Sequence, residues 1–140
     1  MRYLIIITFF ILSCSKPSKY SLTGNVDLND DEKVFLVQMK DNRPVLIDST
    51  SVVSGEFKFS DSINFPEMHY LFFEKITGNI PFVLEPGNIK IDVYKDSLRS
   101  SKISGTKSNK DWIDYLSETQ PYTSELNNIQ IEINQSLRLG

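Results

Sequence analysis

The chain has 140 residues and a mass of 16.1 kDa, enough for one domain with an appended helix. A hydrophobic share of 40% and a charged share of 24% are those of a soluble globular chain rather than a disordered or membrane-embedded one. A formal net charge of −3 argues against nucleic-acid binding, which needs a basic face, and leaves the body nothing to attract an anionic membrane surface.

The chain opens on Arg2 and an apolar run over residues 3–12, then turns polar. A bilayer-spanning helix needs about 20 apolar residues, so the run reads instead as a secretory signal. The junction Ile11-Leu12-Ser13-Cys14 resembles a bacterial lipobox, which implies cleavage before Cys14 and acylation of its thiol. A buried core cysteine is the bland alternative, but Cys14 abuts the polar stretch Ser15-Lys16-Pro17-Ser18-Lys19 and lies outside any recognisable core. Residues 1–13 are thus expected to be a signal peptide and 14–19 a lipidated tether. Cleavage removes Arg2 alone among the charged residues, leaving 14 basic and 18 acidic, so the mature body is near −4. Cys14 is the only cysteine, so neither a disulfide nor a CxxC redox centre can form within the chain.

Residues 20–28 alternate strictly, with Tyr20, Leu22, Gly24, Val26 and Leu28 on one side and polar residues on the other. That is a strand with one wet face. Asn29-Asp30-Asp31-Glu32 follows as a solvated turn, and residues 33–39 form a second strand ended by Asp41-Asn42. A third, bent strand is expected over residues 45–53. The tight turn Ser54-Gly55 leads to Glu56-Phe57-Lys58-Phe59, whose two rings share a side and belong in the core. Residues 68–74 are apolar on both parities, which predicts a central strand covered on both faces. Thr77-Gly78-Asn79 reads as a hairpin turn, and residues 80–84 form a strand with Pro81 near its start. Glu85-Pro86-Gly87-Asn88 suits a type II turn, and Ile89, Ile91 and Val93 then alternate with Lys90 and Asp92. The sum is a mainly β chain, an antiparallel β-sandwich or open barrel of roughly seven or eight strands. The nine Phe and six Tyr against one Trp suit such a core.

The pattern changes after Gly105. Ser108-Asn109-Lys110-Asp111 resembles a capping box, and Trp112, Tyr115 and Leu116 follow at helical spacing. Pro121 is expected to interrupt, with a second helix from about Thr123. One or two C-terminal helices are therefore predicted over residues 107–140, after a β domain at 20–106. The second carries a narrow apolar stripe of Leu126, Ile129, Ile133 and Leu137, with Ile131 off the face and no evident partner in the β domain.

Read in order, the segments Ile47-Asp48-Ser49-Thr50, Val53-Ser54-Gly55-Glu56-Phe57-Lys58-Phe59 and Phe82-Val83-Leu84-Glu85-Pro86-Gly87-Asn88-Ile89-Lys90-Ile91 form a series. It continues as Ile103-Ser104-Gly105-Thr106 with Asn109 and Trp112. The series resembles domain-of-unknown-function family 4369 (DUF4369), from about Tyr20 to Leu116. The resemblance implies the N-terminal β domain of a Bacteroidota-type envelope lipoprotein, often upstream of a helical linker and a thioredoxin-like domain of the AhpC/TSA or TlpA-like kind. This sequence departs from such relatives where that domain would begin, and it has no CxxC, so no redox residue carries over. The resemblance then implies an accessory module without its enzyme, or a chain cut short.

Other constellations favour plain readings. His69 is the only histidine; in a strand it shares a face with Glu67 and lies opposite Glu74, so metal ligands cannot converge locally. Asp48-Ser49 has no nearby histidine to act as base, and Asp48 better suits backbone N–H groups. Asn29-Asp30-Asp31-Glu32 lacks the spacing and glycine of a calcium loop. Trp112, Tyr115 and Tyr122 could make a stacking platform for sugars, but packing of a helix on the sheet explains them as well. No Gly-rich phosphate loop is present. No catalytic residue, metal or cofactor is expected. The partners expected are a membrane, held through the lipid on Cys14, and an envelope protein or a thioredoxin-like domain. The expected place is the periplasmic side of a bacterial envelope, since residues 15–19 lack acidic export-like residues. Three function classes stand: a noncatalytic anchored interaction module, a small-ligand-binding module with an aromatic pocket between sheet and helix, and a fragment of a thioredoxin-like oxidoreductase or peroxiredoxin.

Overall fold

The computed structural model describes residues 18–139; the leader, Cys14 and most of the tether lie outside the described residues. The strands are β1 (Ser18–Val26), β2 (Lys33–Lys40), β3 (Arg43–Ser51), β4 (Glu56–Ile63), β5 (Glu67–Phe73), β6 (Ile80–Leu84), β7 (Gly87–Val93) and β8 (Lys102–Ser104). A 3₁₀ turn at Leu98–Ser100 precedes β8, and the helix α1 runs from Lys107 to Leu139. The strands form two sheets, ordered β4-β1-β7-β8 and β3-β2-β5-β6. They are packed as an open sandwich, not closed into a barrel.

Local chemistry explains the hairpins. Asp41 and Asn42 both take positive φ (49° and 58°), as a two-residue β2–β3 turn matched to strand twist requires. Ser54 and Gly55 do the same (52° and 79°), closed by reciprocal backbone bonds between Val53 and Glu56 of 2.8 and 3.0 Å. The expected bend in β3 is a bulge: Leu36 pairs with Asp48 but Val37 with Leu46, so Ile47 is the extra residue.

The core is the set of inward parities from both sheets. Leu22, Phe57, Phe59, Ile89 and Ile91 meet Val34, Leu36, Leu71, Phe82 and Leu84, all nearly inaccessible. Phe57 is central, edge-to-face with Phe59 at 6.2 Å and with Phe73 at 6.0 Å. Its ring lies across Gly24, its cross-strand partner, where an added Cβ would come within 2.0 Å of the ring. Gly24 is therefore the recess that admits Phe57, and a side chain there would overpack the core.

The expected mainly β, largely antiparallel sandwich is the fold observed, with one parallel pair, β1 and β7, formed because the chain changes sheets between β6 and β7. Pro86-Gly87 forms the passage between the sheets, with Gly87 at a φ of +125°. Four finer expectations are corrected. The first strand ends at Val26, short of Leu28. β5 is central in its sheet, but only His69, Leu71 and Phe73 are buried; Met68, Tyr70 and Phe72 on the other face are half-buried. The turn before β2 is not simply solvated, since Glu32 is buried. Its Oε1 accepts from Lys75 Nζ at 3.1 Å and Asn29 Nδ2 at 3.2 Å, which offsets part of the cost of burying a charge. Finally, Pro121 does not interrupt the helix: α1 passes through it unbroken. The proline removes one backbone donor, but the hydroxyls of Thr119 and Thr123 donate to carbonyls of the preceding turn and restrain the helix on either side.

Candidate interaction surface and its joint to the sandwich

Helix α1 touches the sandwich mainly at β6 and β8, through its first turns. Thr106, just before the helix, accepts the first helical bond through its carbonyl, from Lys110 N–H at 3.1 Å. The helix therefore starts two residues earlier than a capping box at Ser108 implies, and its cap comes from elsewhere. Glu85, at the exit of β6, supplies it: Oε1 accepts the Ser108 backbone N–H at 2.9 Å and Oε2 the Ser108 hydroxyl at 2.8 Å. A carboxylate against free N–H groups at a helix N-terminus is favourable in both hydrogen bonding and dipole. Burial works to raise the Glu85 pKa, but hydrogen bonds from Thr106, Ser108 and Asn109 outweigh it and hold the carboxyl below its ordinary value.

Asn109 completes the joint. It is fully buried, and its amide docks on the outer edge of β6 as another strand would. Oδ1 accepts Val83 N–H at 2.8 Å, while Nδ2 donates to the Val83 carbonyl at 2.7 Å and to Thr106 Oγ1 at 2.8 Å. One side chain thus satisfies both free groups of an edge-strand residue. Gly105 makes the approach possible, with φ of +106° and only 2.1 Å between a would-be Cβ and the Asn88 carbonyl oxygen. Trp112 is half-buried beside the joint and stacks on Tyr115 at 5.8 Å.

Beyond this joint nothing among the described residues covers the helix. Tyr115, Leu116, Tyr122, Leu126, Ile129, Ile133 and Leu137 are all exposed, Leu126 at 65% and Leu137 at 76%. The stripe read from the sequence is a real helix face, and its residues are exposed. The expected packing of the aromatic residues holds for Trp112 alone. Tyr122, 69% exposed, lies one helical stretch further on and is not part of the Trp112–Tyr115 stack.

The remaining sequence candidates fall elsewhere. His69 is a buried strand histidine whose Nδ1 lies 3.2 Å from the Glu67 carbonyl; burial, partly countered by Glu67, lowers its pKa. Asp48 sits in β3 and accepts the Ser49 N–H at 2.7 Å, with Ser49 engaged only as its neighbour. Asp30 caps the β3–β4 turn by accepting Ser54 N–H at 2.6 Å. No trio of His, Cys, Asp or Glu is grouped to hold a metal among the described residues. An open groove of about 490 Å³ runs between β8 and α1, but Ile103, Thr106, Lys107, Lys110, Ile113 and Asp114 line it, not the aromatic residues expected there. Among the described residues no helix is long and apolar enough to cross a membrane.

The clamping role of Glu85 and Asn109 was not read from the sequence. Gly105, Thr106, Asn109 and Trp112, which carry part of the family resemblance in the sequence, lie together at the joint. Comparison with curated proteins and with solved structures finds no match. The family described as Domain of unknown function (DUF4369) matches residues 20–112, from the first core tyrosine of β1 to the tryptophan of the joint. The match spans the sandwich and the start of the joint helix, and the chain belongs to DUF4369.

Proposed function

We propose that this protein is a noncatalytic, membrane-anchored lipoprotein of the bacterial cell envelope, facing the periplasm, whose β domain serves as an accessory or interaction module. The observation that carries the reading is the rigidly clamped helix whose apolar face is left open. Such a face exists to be covered. The lipobox-like junction at Cys14 supports the anchor, since several acyl chains on one residue give lasting attachment where one gives only marginal binding. A single cysteine, consumed by lipid, supports the absence of thiol chemistry in this chain.

The anchor is tested by Cys14→Ser. The wild-type protein is expected in the detergent phase of a phase-separated extract and the variant in the aqueous phase. Detergent partitioning that is unchanged in the variant refutes the lipoprotein reading.

A further inference from the structure

We infer that the free part of α1 is an association surface for a second copy of this chain, paired in parallel and in register. The inference rests on the interaction-module reading and names the partner of its open face.

The face has a period, not only a side. Tyr115, Thr119, Tyr122, Leu126, Ile129, Ile133 and Ser136 fall at alternating steps of four and three along the continuous helix. That is the a/d seam of a coiled coil sustained over about three heptads. Pro121 and Ile131 fall at outward positions, so the proline's missing hydrogen bond lies away from the seam. The centre, Leu126, Ile129 and Ile133, is wholly aliphatic.

Charge sets the direction of self-pairing. Asp111, Glu118, Glu125 and Glu132 recur at every seventh position along one flank of the seam, the g line. Leu116, Thr123, Gln130 and Leu137 occupy the opposite flank, the e line, and all four are uncharged. In a parallel pair each g residue meets e of the next heptad on the partner helix, so Glu118 faces Thr123, Glu125 faces Gln130 and Glu132 faces Leu137. No like charges meet. In an antiparallel pair the g lines face each other and acid meets acid. The arrangement therefore permits one self-pairing and penalises the other. A helix of this length, with a proline inside and its second half exposed among the described residues, also needs such packing to remain helical in water.

A photo-crosslinking residue placed at Ile129 or at Ile131 of the full chain, irradiated in the producing cells, tests the pairing. Ile129 is expected to yield a product of two copies of this chain, and Ile131, two positions along on the outer face, to yield none. No product at Ile129, a product joined to a different protein, or equal products at both positions overturns the inference. Detergent partitioning of the same samples reports the anchor separately, so loss of pairing and loss of anchoring are distinguished. Orientation is tested by Gln130→Lys, which sets a lysine opposite Glu125 in the parallel pair and should strengthen self-association roughly threefold. Weakening by that variant would rule out the parallel pair, in which the new lysine faces Glu125.

Discussion

The two halves of this protein are held by different physics. The sandwich is stabilised by side chains that see no water: Phe57, Phe82, Leu36 and Ile91 fill its centre, and Gly24 is empty so that Phe57 can enter. Helix α1 beyond Trp112 has backbone hydrogen bonds but almost no burial, with its largest apolar residues in solvent. Removing a contact should therefore be costly in the first region and nearly silent in the second. The joint lies between them, since its energy is polar and local.

The comparison is sharpest at Phe57. Truncating it to Ala deletes a buried ring in contact with Phe59 and Phe73 and should cost about 3–5 kcal/mol. A domain of this size holds only about 5–15 kcal/mol, so denaturant melts should show a largely unfolded protein. A loss below about 1 kcal/mol would mean that the core repacks around the gap, contrary to the tight packing described.

The joint comes next. Asn109→Ala leaves both the N–H and the carbonyl of Val83 without partners at a buried edge, at a cost of about 2–4 kcal/mol. Hydrogen exchange should show Val83 losing protection while Leu22 in the core keeps its own. Glu85 adds a pH dependence of definite sign. Its carboxyl is lowered in the folded protein, so its contribution is present above the ordinary glutamate range and is lost as pH falls through the lowered value. Glu85→Gln should lower Tm at neutral pH, and the gap to wild type should close on acidification below about pH 4. Parallel Tm profiles across that window would refute the capping role.

The smallest effect belongs to the tail. Deleting residues 123–140 should leave the melting of the β domain essentially unchanged, because no core side chain contacts them. A loss comparable to that of Phe57→Ala would show that the two regions are one cooperative unit, and the contrast between them would fail.

Much of this was legible in the chain itself. Alternation placed β1 and β7, because a strand with one dry face writes its period into the sequence at every second residue. Asp41-Asn42 and Ser54-Gly55 marked their turns, because few residues accept positive φ at low cost. Phe57 and Phe59 were assigned to the core from parity alone. Tertiary structure decided what local pattern leaves open. Glu85-Pro86-Gly87-Asn88 has the composition of a tight turn, yet only the packing of two sheets determines whether the next strand returns to its neighbour or crosses to pair with β1. Pro121 carries a strong breaker signal, and its local cost is overridden by the helical turns on both sides. Glu32 reads as a solvated turn residue, and its burial is made tolerable by Asn29 of the same turn and by Lys75, which the fold brings in. Asn109 is the clearest case: an asparagine near a helix start has many uses, and its selection as the clamp on Val83 follows from an unpaired strand edge, a long-range fact that one residue's chemistry cannot announce.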